Sequence, residues 1–122
     1  MTFPLVRAIR GAINCPEDTV EEIDIATKEL LAAMLEANEV STEDVISVLF
    51  TTTPDLTSAF PASAARGVGF SGVPLMCASE IAVPGAMPLT VRVMMHVHST
   101  KRRDEIRHVY LRDTPNLRLD LD

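Results

Sequence analysis

The stretch that decides the fold is Thr90-Val91-Arg92-Val93-Met94-Met95-His96-Val97, and most of its side chains are apolar or β-branched. This composition is typical of a strand inside a sheet. Arg92 is a fixed charge within that run, and burying a guanidinium costs roughly several kcal/mol unless an anion pairs with it. The guanidinium could avoid this cost through a structural ion pair, through water at a strand end or through a bound ligand. On Arg92 alone, a structural ion pair or an open strand end is favoured over a ligand.

The segments around this strand alternate between helix and strand patterns. Thr19 and Glu22 match a capping box, and apolar residues then recur at helical spacing, which predicts a long amphipathic helix over 19–38. A proline-led, alanine-rich segment predicts a short helix over 60–66. Pro74 places one strand at a sheet edge or at its own beginning. The predicted strands cover residues 5–13, 45–51, 73–77, 89–98 and 106–111.

These elements predict an α/β (α+β) fold, a mixed five-stranded sheet packed with one long and one short helix. The chain has 122 residues, so we expect one domain, 1–122. Two helices of such unequal length leave part of the sheet without cover, which other subunits could supply.

Composition and charge narrow the function. Hydrophobic residues make up 47% of the chain and charged residues 23%, which is ordinary for a globular protein. The formal net charge of -6 argues against nucleic acid or an anionic membrane as partner. The N-terminus lacks a basic segment followed by an apolar one, so we expect a cytoplasmic location. Cys15 and Cys77 are then expected to be thiols.

Arginine within strands is the main chemical feature. Arg10, Arg92 and Arg107 each fall in a predicted strand among apolar neighbours. A charge-assisted hydrogen bond from a guanidinium group to a carboxylate is worth about 1.5 to 3 kcal/mol. Several such arginines together indicate a polyanionic small molecule as the ligand. Tyr110 offers a further donor, and Glu80 an acceptor for a neutral hydroxyl on that ligand.

Other kinds of catalytic site find little support. His96 and His98 share a strand face, but a zinc site needs three or four converging ligands. Cys77 precedes Glu80 by three positions, yet no histidine is placed to activate its thiol. We therefore expect no metal site and no cysteine nucleophile.

Several segments, taken in order, resemble the monofunctional AroH-type chorismate mutases. They are Arg10-Gly11-Ala12, residues 53–56 with 59–62, residues 73–77 with Glu80, residues 91–95 and residues 107–111. The resemblance spans nearly the whole chain. It implies a pseudo-α/β-barrel homotrimer with an active site at each subunit interface. It also implies the cofactor-free [3,3] rearrangement of chorismate to prephenate in phenylalanine and tyrosine biosynthesis.

The resemblance further implies roles for single residues. Arg92 would donate to the breaking ether oxygen and to the enolpyruvyl carboxylate, which Arg10 and Tyr110 would also bind. Glu80 and Cys77 would hold the ring hydroxyl. The tail over 113–122 would close over the ligand or fray. The remaining substrate-binding positions are Phe60, Ala62 and Arg66, on a wall from the neighbouring subunit, and the lining residues Leu75, Met76 and Leu117.

Two departures from the family pattern and two other functions stay open. Ser63 stands where some relatives carry lysine, so Arg66 alone would face the ring carboxylate. Met76 replaces a small hydroxyl residue, which is tolerable if only its backbone faces the ligand. A non-catalytic trimer that binds a carboxylate metabolite is one alternative function. A YjgF-like imine deaminase is the other, because those proteins share a similar trimeric fold and a carboxylate-binding arginine.

Overall fold

The computed structural model describes residues 3–118, and it confirms the mixed five-stranded sheet with two helices. The helices are α1 (Val20–Asn38) and α2 (Pro61–Arg66), with three short 3-10 segments at Thr42–Asp44, Arg103–Glu105 and Thr114–Arg118. The strands are β1 (Leu5–Asn14), β2 (Val45–Thr52), β3 (Leu75–Ser79), β4 (Thr90–Ser99) and β5 (Val109–Tyr110). Their order across the sheet is β3-β2-β4-β1-β5.

Strand β4, which contains the opening run, is the centre of the sheet. It pairs antiparallel with β1 along the full length of both strands, from Leu5 opposite Ser99 to Asn14 opposite Thr90. On its other side it pairs antiparallel with β2. The two outer strands, β3 and β5, run parallel to their neighbours. The edge position expected from Pro74 is therefore correct, since β3 begins at Leu75 and lies outermost.

The two faces of β4 differ in cover. Val91, Val93 and Met95 are buried in the main core, whereas Arg92 lies on the opposite face with its side chain 45% exposed. Successive side chains of a strand point to opposite faces, so one strand serves both environments. Arg92 has the anionic partner that was expected, since Glu80 pairs with it, but its side chain is not buried in one chain. Both helices pack against the face that carries Val91, Val93 and Met95, and this face holds the core. We call the opposite face, which carries Arg92, the open face.

Helix α1 follows its predicted pattern closely. Thr19 caps it by accepting a hydrogen bond from the backbone N–H of Glu22 at 3.1 Å. Its buried stripe includes Leu30 and Met34, which lie over Gly11 of β1. A Cβ added at Gly11 would lie 2.5 Å from the Met34 Sδ, so glycine permits the close approach of helix and strand.

Strand β5 is much shorter than the predicted strand over 106–111. It contains only Val109–Tyr110, and Arg107 lies outside it and is exposed. The side chain of Asn38, at the end of α1, accepts a bond from the Arg107 N–H at 2.8 Å and donates to the Arg107 carbonyl at 2.9 Å. These bonds replace the strand ladder at Arg107. Placing Arg107 in a strand was therefore wrong.

We expect Asn38→Leu to lower the free energy of unfolding by about 2 kcal/mol, because it leaves two backbone groups of Arg107 without their partners. Urea unfolding followed by circular dichroism measures this. Glu36→Leu, on an exposed position of the same helix, is the matched control and should change stability by less than about 0.5 kcal/mol. Equal stability of the two variants would contradict a stabilising role for the two hydrogen bonds between Asn38 and Arg107.

Candidate active site

A cavity of about 250 Å³ opens on the open face. It brings together Arg10 from β1, Arg92 from β4 and Tyr110 from β5. The strand register explains this, since Ala12 of β1 lies opposite both Arg92 and Tyr110. The lining residues are Arg10, Gly11, Ala12, Leu49, Thr51, Arg92, Val93, Met94 and Tyr110. Two guanidinium groups and a phenol thus border one small, largely apolar space, which suits a compact anion.

Glu80 supplies the counter-charge of Arg92. Its Oε2 lies 3.4 Å from the Arg92 Nε and accepts a hydrogen bond from the Thr51 hydroxyl at 2.8 Å. The two terminal nitrogens of Arg92 make no hydrogen bond within residues 3–118. They are the donors of this side chain that an anion in the cavity would meet. With the Arg92 side chain 45% exposed and that of Glu80 21% exposed, water screens the pair, and it contributes little to stability.

Backbone contacts hold the other cavity residues in place. The Arg10 N–H donates to the His108 Nδ1 at 3.0 Å, next to β5. The Ala12 carbonyl accepts from the Leu111 N–H and from the Thr114 hydroxyl, each at 3.0 Å. These bonds tie the start of the tail to β1. Leu117 follows, partly buried, in the last 3-10 segment. The rest of the predicted closing tail, residues 119–122, lies outside the described residues.

A second group of predicted residues lies on the other side of the sheet. Phe60, which is 70% exposed, and Cys77 border a separate cavity of about 330 Å³ together with Thr52. Thr52 pairs with the buried Val91, which places this cavity on the face that the helices cover. Arg66 is exposed in the last turn of α2.

Asp18 anchors the loop that leads to Phe60. Its carboxylate accepts bonds from the hydroxyl of Thr57 at 2.7 Å and from the backbone N–H groups of Thr57 and Ser58, each at 3.0 Å. The hydrogen bond from the Thr57 side chain leads the effects that lower the pKa of Asp18. The carboxylate therefore stays ionised at neutral pH and holds this loop against the start of α1.

Three of the predicted substrate-binding residues have side chains that pack in or against the core of this chain. Cys77 lies beside Phe50 in the register and packs against the core, on the opposite face from the Glu80 carboxylate. Leu75 packs against the same core, and Ala62 is only 6% exposed within it. In one chain, then, Cys77 and Glu80 do not share a site. By contrast, Met76 is 67% exposed and pairs with Leu49, on the open face.

Cys77 can still offer its backbone to a ligand. The Pro74 carbonyl and the Glu80 N–H both bond to β2, which fixes the alternation along β3. Met76 and Ala78 then direct their backbone groups toward β2, and Cys77 directs its N–H and carbonyl to the free edge.

Thr51 is the functional candidate that sequence reasoning missed. It lies opposite Arg92 in the register and contacts Glu80. Strand alternation places Thr51 and Leu49 on the same face of β2. Only the pairing of β2 with β4 shows that this is the face that carries Arg92. The Thr51 hydroxyl was therefore indistinguishable from that of Thr52 in the sequence.

Neither metal-binding clusters nor a membrane span is found in the described part of the chain. Within residues 3–118, no group of three or more His, Cys, Asp or Glu side chains could hold a metal ion. No helix in that range has the length and apolar character needed to cross a membrane. Both cysteines are free thiols, and burial raises the pKa of Cys15.

Comparisons with known proteins agree with the geometry of the first cavity. The family model for chorismate mutase type I matches residues 6–121. Chorismate mutase AroH from Thermus thermophilus is 52% identical over 119 residues, covering 97% of this chain and 98% of the relative. Chorismate mutase AroH from Bacillus subtilis is 44% identical over 118 residues, covering 96% and 93%.

A solved chorismate mutase from Clostridium thermocellum superposes with a TM-score of 0.88 at 46% identity, covering 89% of this chain and 97% of that one. Similarity of this extent in both sequence and structure is sufficient to assign the family. The chain therefore belongs to the type I chorismate mutases, which are isomerases.

Proposed function

We propose that the cavity around Arg92 is where this chorismate mutase converts chorismate to prephenate. The observation that carries the proposal is the convergence of Arg10, Arg92 and Tyr110 on one cavity, with Glu80 beside Arg92. Chorismate is a dicarboxylate with a ring hydroxyl. Two guanidinium groups and a phenol suit its side-chain carboxylate, and the Glu80 carboxylate suits its hydroxyl.

The rearrangement asks little covalent chemistry of the protein. Within one molecule a C–C bond forms as the ether C–O bond breaks, so no proton, electron or leaving group is exchanged with the enzyme. The site has to hold the substrate in the compact reactive conformer and to stabilise charge that develops on the ether oxygen. A millionfold acceleration corresponds to about 8 kcal/mol, which conformer restriction and two or three charge-assisted contacts can supply. No cofactor is required.

Arg92 has the role most specific to the transition state. Its Nε lies beside Glu80, and the residue borders the cavity. A donor aimed at the ether oxygen gains strength as negative charge develops there, and an interaction of that kind raises kcat. Arg10 and Tyr110 would bind the enolpyruvyl carboxylate in ground and transition state alike.

We also propose that the active site is completed by a neighbouring subunit in a homotrimer. In one chain the Arg92 cavity and the cavity that Phe60 and Cys77 border lie on opposite faces of the sheet, so they cannot enclose one ligand. The open face also carries exposed apolar side chains, with Leu49 at 38% and Met76 at 67%. A second chain that covered this face could bring its own Phe60, Arg66 and Cys77 backbone to the cavity.

The domain and location predictions stay predictions. We propose that residues 1–122 act as one chorismate mutase domain, in keeping with the family match over 6–121. The cytoplasmic location is still our expectation, consistent with a biosynthetic isomerase. The family model and both named relatives are chorismate mutases, which favours this function over a YjgF-like imine deaminase.

The purified chain, in buffer with a metal chelator, should deplete chorismate and form an equal amount of prephenate. Chromatographic separation of the two compounds measures this directly. Heat-denatured protein is the control for the slow uncatalysed reaction. Binding of a transition-state-like dicarboxylate without turnover would instead support the non-catalytic metabolite-binding protein.

A further inference from the structure

We propose that Thr51 is a positioning residue for this rearrangement, holding Glu80 so that Glu80 and Arg92 present a fixed arrangement to the substrate. The inference rests on the proposed function of the Arg92 cavity. Thr51 borders that cavity and stands directly opposite Arg92 on the neighbouring strand.

The contacts show which bond anchors the group. The Thr51 hydroxyl donates to the Glu80 Oε2 at 2.8 Å, whereas the Arg92 Nε lies 3.4 Å from the same oxygen. A strong charge-assisted N–H···O bond is about 2.7 to 2.9 Å long, so the hydroxyl makes the closer contact and the guanidinium a looser one. Within the described residues, Thr51 and Arg92 are the side chains that contact this carboxylate.

The backbone restricts the movement of both Thr51 and Glu80. Thr51 lies in a strand paired on both sides, and its β-branched side chain has restricted rotation about χ1. The Glu80 N–H also donates to the Thr52 carbonyl at 2.9 Å, so Glu80 is attached to β2 at two points. Its other carboxylate oxygen, Oε1, makes no hydrogen bond or ion pair within residues 3–118, so it can accept a bond from a substrate hydroxyl.

Thr51→Val keeps the shape of the side chain and removes the hydroxyl. We expect kcat to fall about tenfold, the size of one hydrogen bond to a charged group, with a smaller change in KM. Thr51→Ser restores the donor and should recover kcat to within about threefold of the unmodified enzyme. Thr27→Val is the matched control, because the buried Thr27 hydroxyl has no partner among the described residues. It should leave both constants unchanged.

A double-mutant cycle tests whether Thr51 acts through Glu80. In a Glu80→Ala background Thr51→Val should cost little, because the group it positions is absent. An equal loss in both backgrounds would overturn the proposal, as would a Thr51→Val enzyme with unmodified kinetics. If Thr51→Val unfolds, Thr51→Ala against Thr51→Ser gives the same comparison, since they differ only by the hydroxyl. Absence of turnover in the unmodified chain would refute the function itself, a separate outcome.

Discussion

Arg92→Lys will lower kcat/KM by about a thousandfold while the protein keeps its fold, a loss at the upper end of that for removing one transition-state donor. Lysine keeps the charge but replaces the planar fork with a single ammonium group. It cannot contact Glu80 through one nitrogen and present two further donors to the substrate. Because the side chain lies on the open face and is 45% exposed, the shorter head group fits without opening a core cavity.

Steady-state kinetics on purified variants measures the loss, with circular dichroism to verify folding. The matched control is Arg107→Lys, because the structure places Arg107 outside the sheet and away from the cavity lining. This variant should stay within about twofold of the unmodified enzyme, as expected for an exposed position. An Arg92→Lys enzyme within tenfold of unmodified activity would refute the role at the ether oxygen.

Two impaired variants will regain activity when their chains are mixed, provided that each carries its defect in a different half of the site. One partner is Arg92→Lys, in the open-face cavity, and the other is Arg66→Ala, in the proposed wall of the neighbouring subunit. Arg66→Ala alone should lower kcat/KM about tenfold to a hundredfold through loss of a charge-assisted bond to the ring carboxylate. If each site joins halves of two subunits, random assembly in equal amounts leaves about a quarter of the sites with both halves intact.

Co-refolding from denaturant, followed by the chorismate assay, measures the recovery. Mixing Arg92→Lys with Tyr110→Phe is the control, because both changes lie in one half of the site and no assembly can produce an intact one. A recovery equal in the two mixtures would contradict a shared site. So would full activity in a chain that sedimentation shows to be a monomer.

Much of the architecture could be predicted from local pattern. The run over 90–97 indicated a strand, and β4 begins at the same residue and continues two residues beyond it, to Ser99. Helix α1 begins and ends within a residue of its prediction, because a cap at Thr19 and helical spacing of apolar residues act over a few positions. The ordered motifs also identified the family correctly.

Long-range contacts account for the errors. Strand β5 is short because Asn38, 69 positions earlier, bonds both backbone groups of Arg107. Arg92 is exposed because the helices that follow β1 and β2 pack against the other face of the sheet. By contrast, Cys77 and Glu80 are three residues apart, so strand alternation alone, without any long-range contact, already places their side chains on opposite faces.

The sequence by itself determined the elements, their apolar stripes and the family to which the chain belongs, since these depend on neighbouring residues and on motifs in order. The tertiary structure alone decided which strand faces meet. It placed Arg10, Arg92 and Tyr110 around one cavity, moved Phe60 and Cys77 to the far side, and paired the Thr51 hydroxyl with Glu80. The physical reason is strand register: a shift of one residue sends every side chain to the other face, and only pairing between distant strands sets it.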